Sequence, residues 1–127
     1  MASNGLLIGL RTAVGAGSWV APELSGRLFG LDAVANPQLP YLGRLFGVRD
    51  VALGAGLGLS SGKNRKLWLQ LGIACDAADA AAGLIAGRKG QLSKVSTVLV
   101  TAPALIAIAL GVAGLQSLEE PAASPVA

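Results

Sequence analysis

Residues 67–86 read LWLQLGIACDAADAAAGLIA, with Asp76 and Asp79 as the only charges. A helix rising 1.5 Å per residue covers about 30 Å in such a stretch, the hydrocarbon thickness of a bilayer. The two carboxyls stand three residues apart at its middle, on one helical face. Ala80 and Gly83 extend that face, so another helix can come close. On hydropathy alone the stretch is marginal. It reads as a membrane-crossing helix that neighbouring helices pack.

The composition around it agrees. The chain has 127 residues, 53% hydrophobic and 13% charged, with a mean hydropathy of +0.62. Ordinary soluble domains carry about 25% charged residues. Too few charges are present here to coat a water-soluble globule, and the apolar content excludes disorder. The length allows one domain.

Three more apolar segments flank the first. With it they predict spans at about 4–21, 40–61, 67–87 and 95–116, a single four-span domain over 1–117 and a flexible tail over 118–127. Pro22 ends the first span, Pro40 opens the second and Gly87 is a C-terminal stop for the third. The last span carries no charge, and Pro103 should kink it. Between spans one and two, Leu24, Leu28 and Leu31 fall at helical spacing, with Glu23, Arg27 and Asp32 off that stripe. This predicts a short amphipathic helix within Pro22–Leu39, lying at the membrane interface. Trp19, Trp68 and Tyr41 sit near span ends, as interfacial anchors do. The predicted fold class is therefore all-α, an integral membrane four-helix bundle with one short interfacial helix. The localisation that follows is the cell (inner) membrane, with the lipid bilayer as first partner.

Several functions are excluded by what is missing. The chain has no His, which removes His-ligated metals, His-ligated haem and a His general base. Cys75 is the only cysteine, so neither an internal disulfide nor a cysteine metal cluster is available. The net charge of +3 is scattered and forms no basic patch with aromatic platforms, so nucleic acid is not a partner. No Lys or Arg precedes Leu6–Leu10, and Arg11 interrupts the apolar run, unlike a cleaved signal peptide. No cofactor is called for. Lys63, Arg65 and Lys66 fall between spans two and three, while Arg88, Lys89 and Lys94 fall between spans three and four. With Arg27 on the second side, the positive-inside bias amounts to about one charge and leaves the orientation open.

The depth of the charges is the informative pattern. Measured from span centres, Arg11, Arg49, Asp50 and Asp76 lie at the midplane and Asp79 about 4 Å from it. Each such charge costs about 2.5–3.5 kcal/mol to insert, so five left unpaired would cost about 12–17 kcal/mol. That exceeds the net stability of a typical domain, about 5–15 kcal/mol. The five must face inward and pair. Arg44, about 9 Å above the centre of span two, could snorkel in as a third cation. Arg49 and Asp50 are adjacent and point about 100° apart, so one can face span one and the other span three. Gly43-x-x-x-Gly47 and Gly54-x-x-x-Gly58 add small-residue spacing for close helix contact.

Several readings of this cluster remain open. In one, Arg11, Arg44 and Arg49 bind a small, mostly apolar ligand, and Asp76, Asp79 and Asp50 do acid–base chemistry on it. One carboxyl holding a proton beside one that is ionised would suit isomerisation, cyclisation or epoxide opening. Whether the protein is an enzyme is left undecided. In another, the charges are buried ion pairs in a structural or scaffold subunit of a larger membrane complex. In a third, a homo-oligomer conducts protons or ions. A metal on the paired Asp would have to be a hard cation, and no metal is called for.

Arg11, the run Arg44-Leu45-Phe46-Gly47-Val48-Arg49-Asp50 and the run Asp76-Ala77-Ala78-Asp79-Ala80 together resemble an uncharacterised family of small four-span bacterial membrane proteins, known only as a domain of unknown function. The Ala/Gly/Leu-rich composition resembles that of actinobacterial proteins. The resemblance covers most of residues 5–116 and implies a four-helix membrane bundle with no established activity. In size the chain is also similar to DoxX-type four-span proteins.

Overall fold

A computed structural model describes residues 2–119. Five helices follow in order: α1 (Ala2–Val20), α2 (Pro22–Leu28), α3 (Leu39–Leu59), α4 (Gly62–Arg88) and α5 (Lys94–Glu119). No strand occurs among the described residues. α1 packs chiefly on α3, and α4 on α5. α1 also touches α5, and α3 and α4 meet along a thinner seam. The result is two helix pairs set side by side.

Each long helix presents one stripe to the others at three- and four-residue spacing. On α1 the stripe is Asn4, Leu7, Arg11, Gly15 and Ser18, and on α4 it is Leu69, Gly72, Asp76, Ala80 and Gly83. Glycine dominates where helices cross. A Cβ on Gly15 would come 2.7 Å from the carbonyl oxygen of Gly47, and one on Gly43 would meet Pro22 at 3.4 Å. Gly54 and Gly58 face α1 as well, through Arg11 and Ile8. Gly47, Gly54 and Gly58 therefore serve the contact of α3 with α1, and Gly43 chiefly its contact with Pro22 of α2.

The interior is unevenly filled. Leu7, Leu57, Leu69 and Ala107, one from each long helix, form a packed cluster, with Ile8, Leu10, Trp68, Leu110 and Leu115 against it. This cluster lies towards the start of α1 and α4 and the end of α3. Large apolar side chains such as Leu6, Val48, Leu71, Ile85, Leu105 and Ile106 point outward, while Asn4, Arg11, Ser18, Asp50, Asp76, Ser96 and Thr101 are buried. The polarity of a soluble domain is thus partly inverted. Among the described residues two helices, α4 and α5, are long and apolar enough to cross a membrane.

Several predicted boundaries are corrected. The four long helices run over 2–20, 39–59, 62–88 and 94–119 rather than 4–21, 40–61, 67–87 and 95–116. Lys63, Arg65 and Lys66 belong to α4 rather than to a loop, because hydropathy marks a span while Lys and Arg are good helix formers beyond it. Arg65 folds back to donate two hydrogen bonds to the Ser60 carbonyl, at 3.1 and 2.7 Å. Leu118 and Glu119 continue α5, and the rest of the predicted tail, 120–127, lies outside the described residues. Gly87 does not stop α4. The helix ends at Arg88, and Gly90, with φ +72°, supplies the left-handed residue. Gln91 N–H then donates to the Ala86 carbonyl at 2.9 Å and Gly90 N–H to that of Gly87 at 3.2 Å, a Schellman closure. The short helix ends in the same way at Gly30, φ +76°, so it stops at Leu28 and Leu31 falls outside it. Leu24 and Leu28 point away from the bundle, whereas Pro22 and Gly26 pack against it. Ser96 of α5 donates to the Gly30 carbonyl at 2.7 Å and holds this turn in place. α5 runs unbroken through Pro103.

The α1–α3 crossing predicts a graded response. Gly15→Ala should destabilise the protein by about 1–3 kcal/mol, the usual cost of overpacking. Gly58→Ala, with its nearest contact at 3.7 Å, should cost far less. Equilibrium unfolding of the two variants in micelles, side by side, checks the order.

Candidate functional site

Arg11 is the central residue of α1, and its guanidinium lies across the interior to α4. Its Nη1 donates to Asp76 Oδ1 at 3.2 Å and its Nη2 to Asp76 Oδ2 at 2.6 Å. Such two-point pairing of a planar guanidinium with a carboxylate is strong and directional. Nη1 also lies 3.7 Å from Asp50 Oδ1 on α3. The side chains of Arg11 and Asp76 are only 3% and 5% exposed. Gly72 makes this reach possible, since a Cβ there would stand 2.6 Å from Arg11 Nη2.

Arg49 forms a second two-point pair. Its Nη1 donates to Asp79 Oδ1 at 2.9 Å and its Nη2 to Asp79 Oδ2. Nη2 also donates to Asp50 Oδ1 at 3.4 Å. The guanidinium carbon sits 4.8 Å from the centre of the Phe46 ring, a cation–π contact. This pair bridges the loose seam between α3 and α4 and is more open, at 34% and 29% side-chain exposure. Among the described residues, Arg49 Nε is buried without a hydrogen-bond partner.

The five groups form one alternating row, Asp76–Arg11–Asp50–Arg49–Asp79, drawn from three helices. Asp50 faces Arg11 of α1 while its neighbour Arg49 faces Asp79 of α4, as their angular offset on α3 allows. Five of the six predicted site residues thus come together. Arg44 does not. Its Nε donates to the Trp19 carbonyl at 3.1 Å on the exposed side of the α1–α3 pair. From a position one and a half turns before Arg49, its short path leads to the free carbonyls at the end of α1, so the outward contact wins over the inward one.

Beside the row, and bordering the packed cluster at Leu10 and Ala107, the bundle leaves a half-open pocket. A cavity of about 610 Å³ lies between the four long helices, with Arg11, Asp50, Asp76 and Asp79 on its wall. Leu10, Val14, Phe46, Val100, Pro103 and Ala104 give it apolar sides, and Phe29 and Gly26 of the α2 segment cover one end. Arg49 is not on the wall and acts through Asp79. Pro103 borders the cavity from within a continuous helix.

Sequence reasoning missed Gly72 and Gly15, which admit the Arg11 guanidinium and the α3 backbone respectively. Gly72 had a signal, since it lies four residues before Asp76 on the same face. The Ser96–Gly30 contact had none, because it joins residues far apart in the chain. Among the described residues no three potential metal ligands converge. No family model, curated protein or solved structure matches the chain.

The two ion pairs predict unequal losses. Arg11→Met strands Asp76 in a buried site and should cost about 3–5 kcal/mol of stability. Arg49→Met, whose pair is partly open, should cost less. The double variant Arg11→Met/Asp76→Leu should recover much of the first loss, because it removes both buried charges. Unfolding free energies of the three variants decide the order.

Proposed function

We propose that the protein is a four-span integral membrane bundle whose Arg/Asp row forms the polar wall of a pocket for a small, mostly apolar ligand. The observation that carries this reading is the cavity of about 610 Å³ placed directly on the charged row. Binding sites for small molecules are mostly apolar concavities with a few fixed polar groups, and that combination stands here. The ion pairs by themselves account for helix register but give no reason for a hollow beside them.

Membrane insertion of all four long helices is part of the proposal. Its support is the outward apolar side chains, the inward polar ones and the position of Arg11 and Arg49 at the middle of α1 and α3. The exposed Leu24 and Leu28 of α2 suit an interfacial segment, and Trp19 and Tyr41 suit anchors at the same level. The cell membrane as location, bacterial origin and kinship with the small four-span family belong to the same proposal. The geometry favours binding over acid–base chemistry at Asp76 and Asp79, because each already accepts two hydrogen bonds from an arginine. That same engagement is what favours a structural role as the second reading.

Two experiments test the proposal. For topology, an impermeant maleimide should label Ser61→Cys and Gln91→Cys, each in a Cys75→Ser background, from opposite faces of sealed vesicles. Labelling of both from one face would sink the four-span reading. For the pocket, native mass spectrometry of protein extracted with its own lipids should show a discrete bound small molecule. Ala82→Trp, which adds an indole at the edge of the pocket, should abolish it. Bare wild-type protein, or an adduct unchanged in the variant, would count against the pocket.

A further inference from the structure

We infer that the cavity takes an organic monocation, a compact apolar group bearing one ammonium whose N–H is donated to Asp50. The inference rests on the reading of the cavity as a ligand pocket and names the class of ligand.

Charge balance is the first observation. The row holds Arg11 and Arg49 against Asp50, Asp76 and Asp79, two cations to three carboxyls, and so lacks one positive charge when all are ionised. Among the described residues no other Lys or Arg reaches it, and Arg44 is engaged elsewhere. An uncompensated charge in an apolar interior is expensive. A ligand that brings one positive charge removes that cost.

The second observation locates the deficit. Asp76 and Asp79 each accept two guanidinium hydrogen bonds, whereas Asp50 is approached only at 3.4 and 3.7 Å, both times on Oδ1. Asp50 Oδ2 accepts no hydrogen bond among the described residues. Its side chain is only 9% exposed, and it borders the cavity. A carboxylate oxygen without a donor, reachable from the pocket it borders, is a place for an N–H.

The third observation is what the wall refuses. An anion would face Asp50, Asp76 and Asp79 together, with Arg11 already paired to Asp76 through two N–H groups and Arg49 set behind the wall. A neutral apolar molecule would fit the sides but leave the charge deficit in place. A cation satisfies both the apolar sides and the open oxygen.

The probes are 1-aminoadamantane, a compact ammonium at neutral pH, and its neutral isostere 1-adamantanol. Equilibrium dialysis against protein in lipid nanodiscs, with empty nanodiscs subtracted, gives the two affinities. The wild type should prefer the amine by at least about tenfold, the scale of one charge-assisted hydrogen bond. Asp50→Asn, confirmed as helical by circular dichroism, should bring the two probes to near parity. Ala82→Trp should weaken both. Equal binding of amine and alcohol by the wild type overturns the cation while leaving the pocket standing. A preference that survives in Asp50→Asn overturns the assignment to Asp50. Binding of neither probe above empty nanodiscs overturns both the cation and the pocket. The wild-type ratio decides even if the Asn variant does not fold.

Discussion

The rest of the structure depends on the burial of the Arg11 guanidinium between Asp76 and Asp50. Arginine does not shed its proton in a protein, so its charge must be met where it lies. Meeting it fixes the neighbours. α4 must come close enough for a two-point bond, which requires Gly72, and α3 must come close enough for Asp50, which the glycines facing α1 permit. One residue in the middle of α1 thereby sets the register of two other helices. Such pairs contribute little net stability, since desolvation offsets most of the attraction, but a mispaired arrangement would leave a charge stranded. The row therefore specifies the arrangement more than it strengthens it.

The same row divides the interior. On one side, leucines from α1, α3 and α4 interlock into a packed cluster. On the other, the helices carry Gly43, Ala82, Gly83, Ala86 and Ala104 where bulk would be needed to fill the space. Proteins pack their interiors densely, and an apolar hollow forfeits contacts on every wall. The α2 segment and its Gly30 turn, held by Ser96, form a cover over that hollow. A packed floor, a charged wall and a partial cover are what the proposed ligand pocket needs.

How much of this was legible follows from the range of each interaction. The helices were readable because apolar runs and helix-breaking residues act locally. The convergence of Arg11, Arg49, Asp50, Asp76 and Asp79 was readable for a different reason. Charge at equal depth in three apolar helices has no inexpensive outcome other than pairing. Helix ends were less so. The start of α4 ran past the hydropathy boundary through Lys63, Arg65 and Lys66, and its stop moved from Gly87 to Gly90, since either glycine could have taken the left-handed turn. Arg44 was misplaced because snorkelling has two directions, and sequence does not say which carbonyls lie free nearby. A pocket on the charged row was expected from the charges, but its size and its walls were beyond reach. Small residues at helix crossings and small residues around a hollow look identical until the neighbouring helix is in place.

The division of the bundle into two helix pairs has a consequence for how the chain is made. α1 to α3 form the first pair with its short helix, α4 and α5 the second, and the chain passes from one to the other through Ser60 and Ser61. Synthesis runs from the N-terminus, so the first pair can close its glycine-lined crossing before the second has emerged. At that stage the row is cut in two. Arg11, Arg49 and Asp50 leave the first pair with one excess positive charge at its middle, and Asp76 and Asp79 give the second two negative ones. Each half is an incomplete electrolyte that the other compensates in part, leaving one carboxylate in excess. The last step of assembly is thus a docking between oppositely charged halves, in which Arg11 meets Asp76 and Arg49 meets Asp79. Assembly can be complete only when both halves are present.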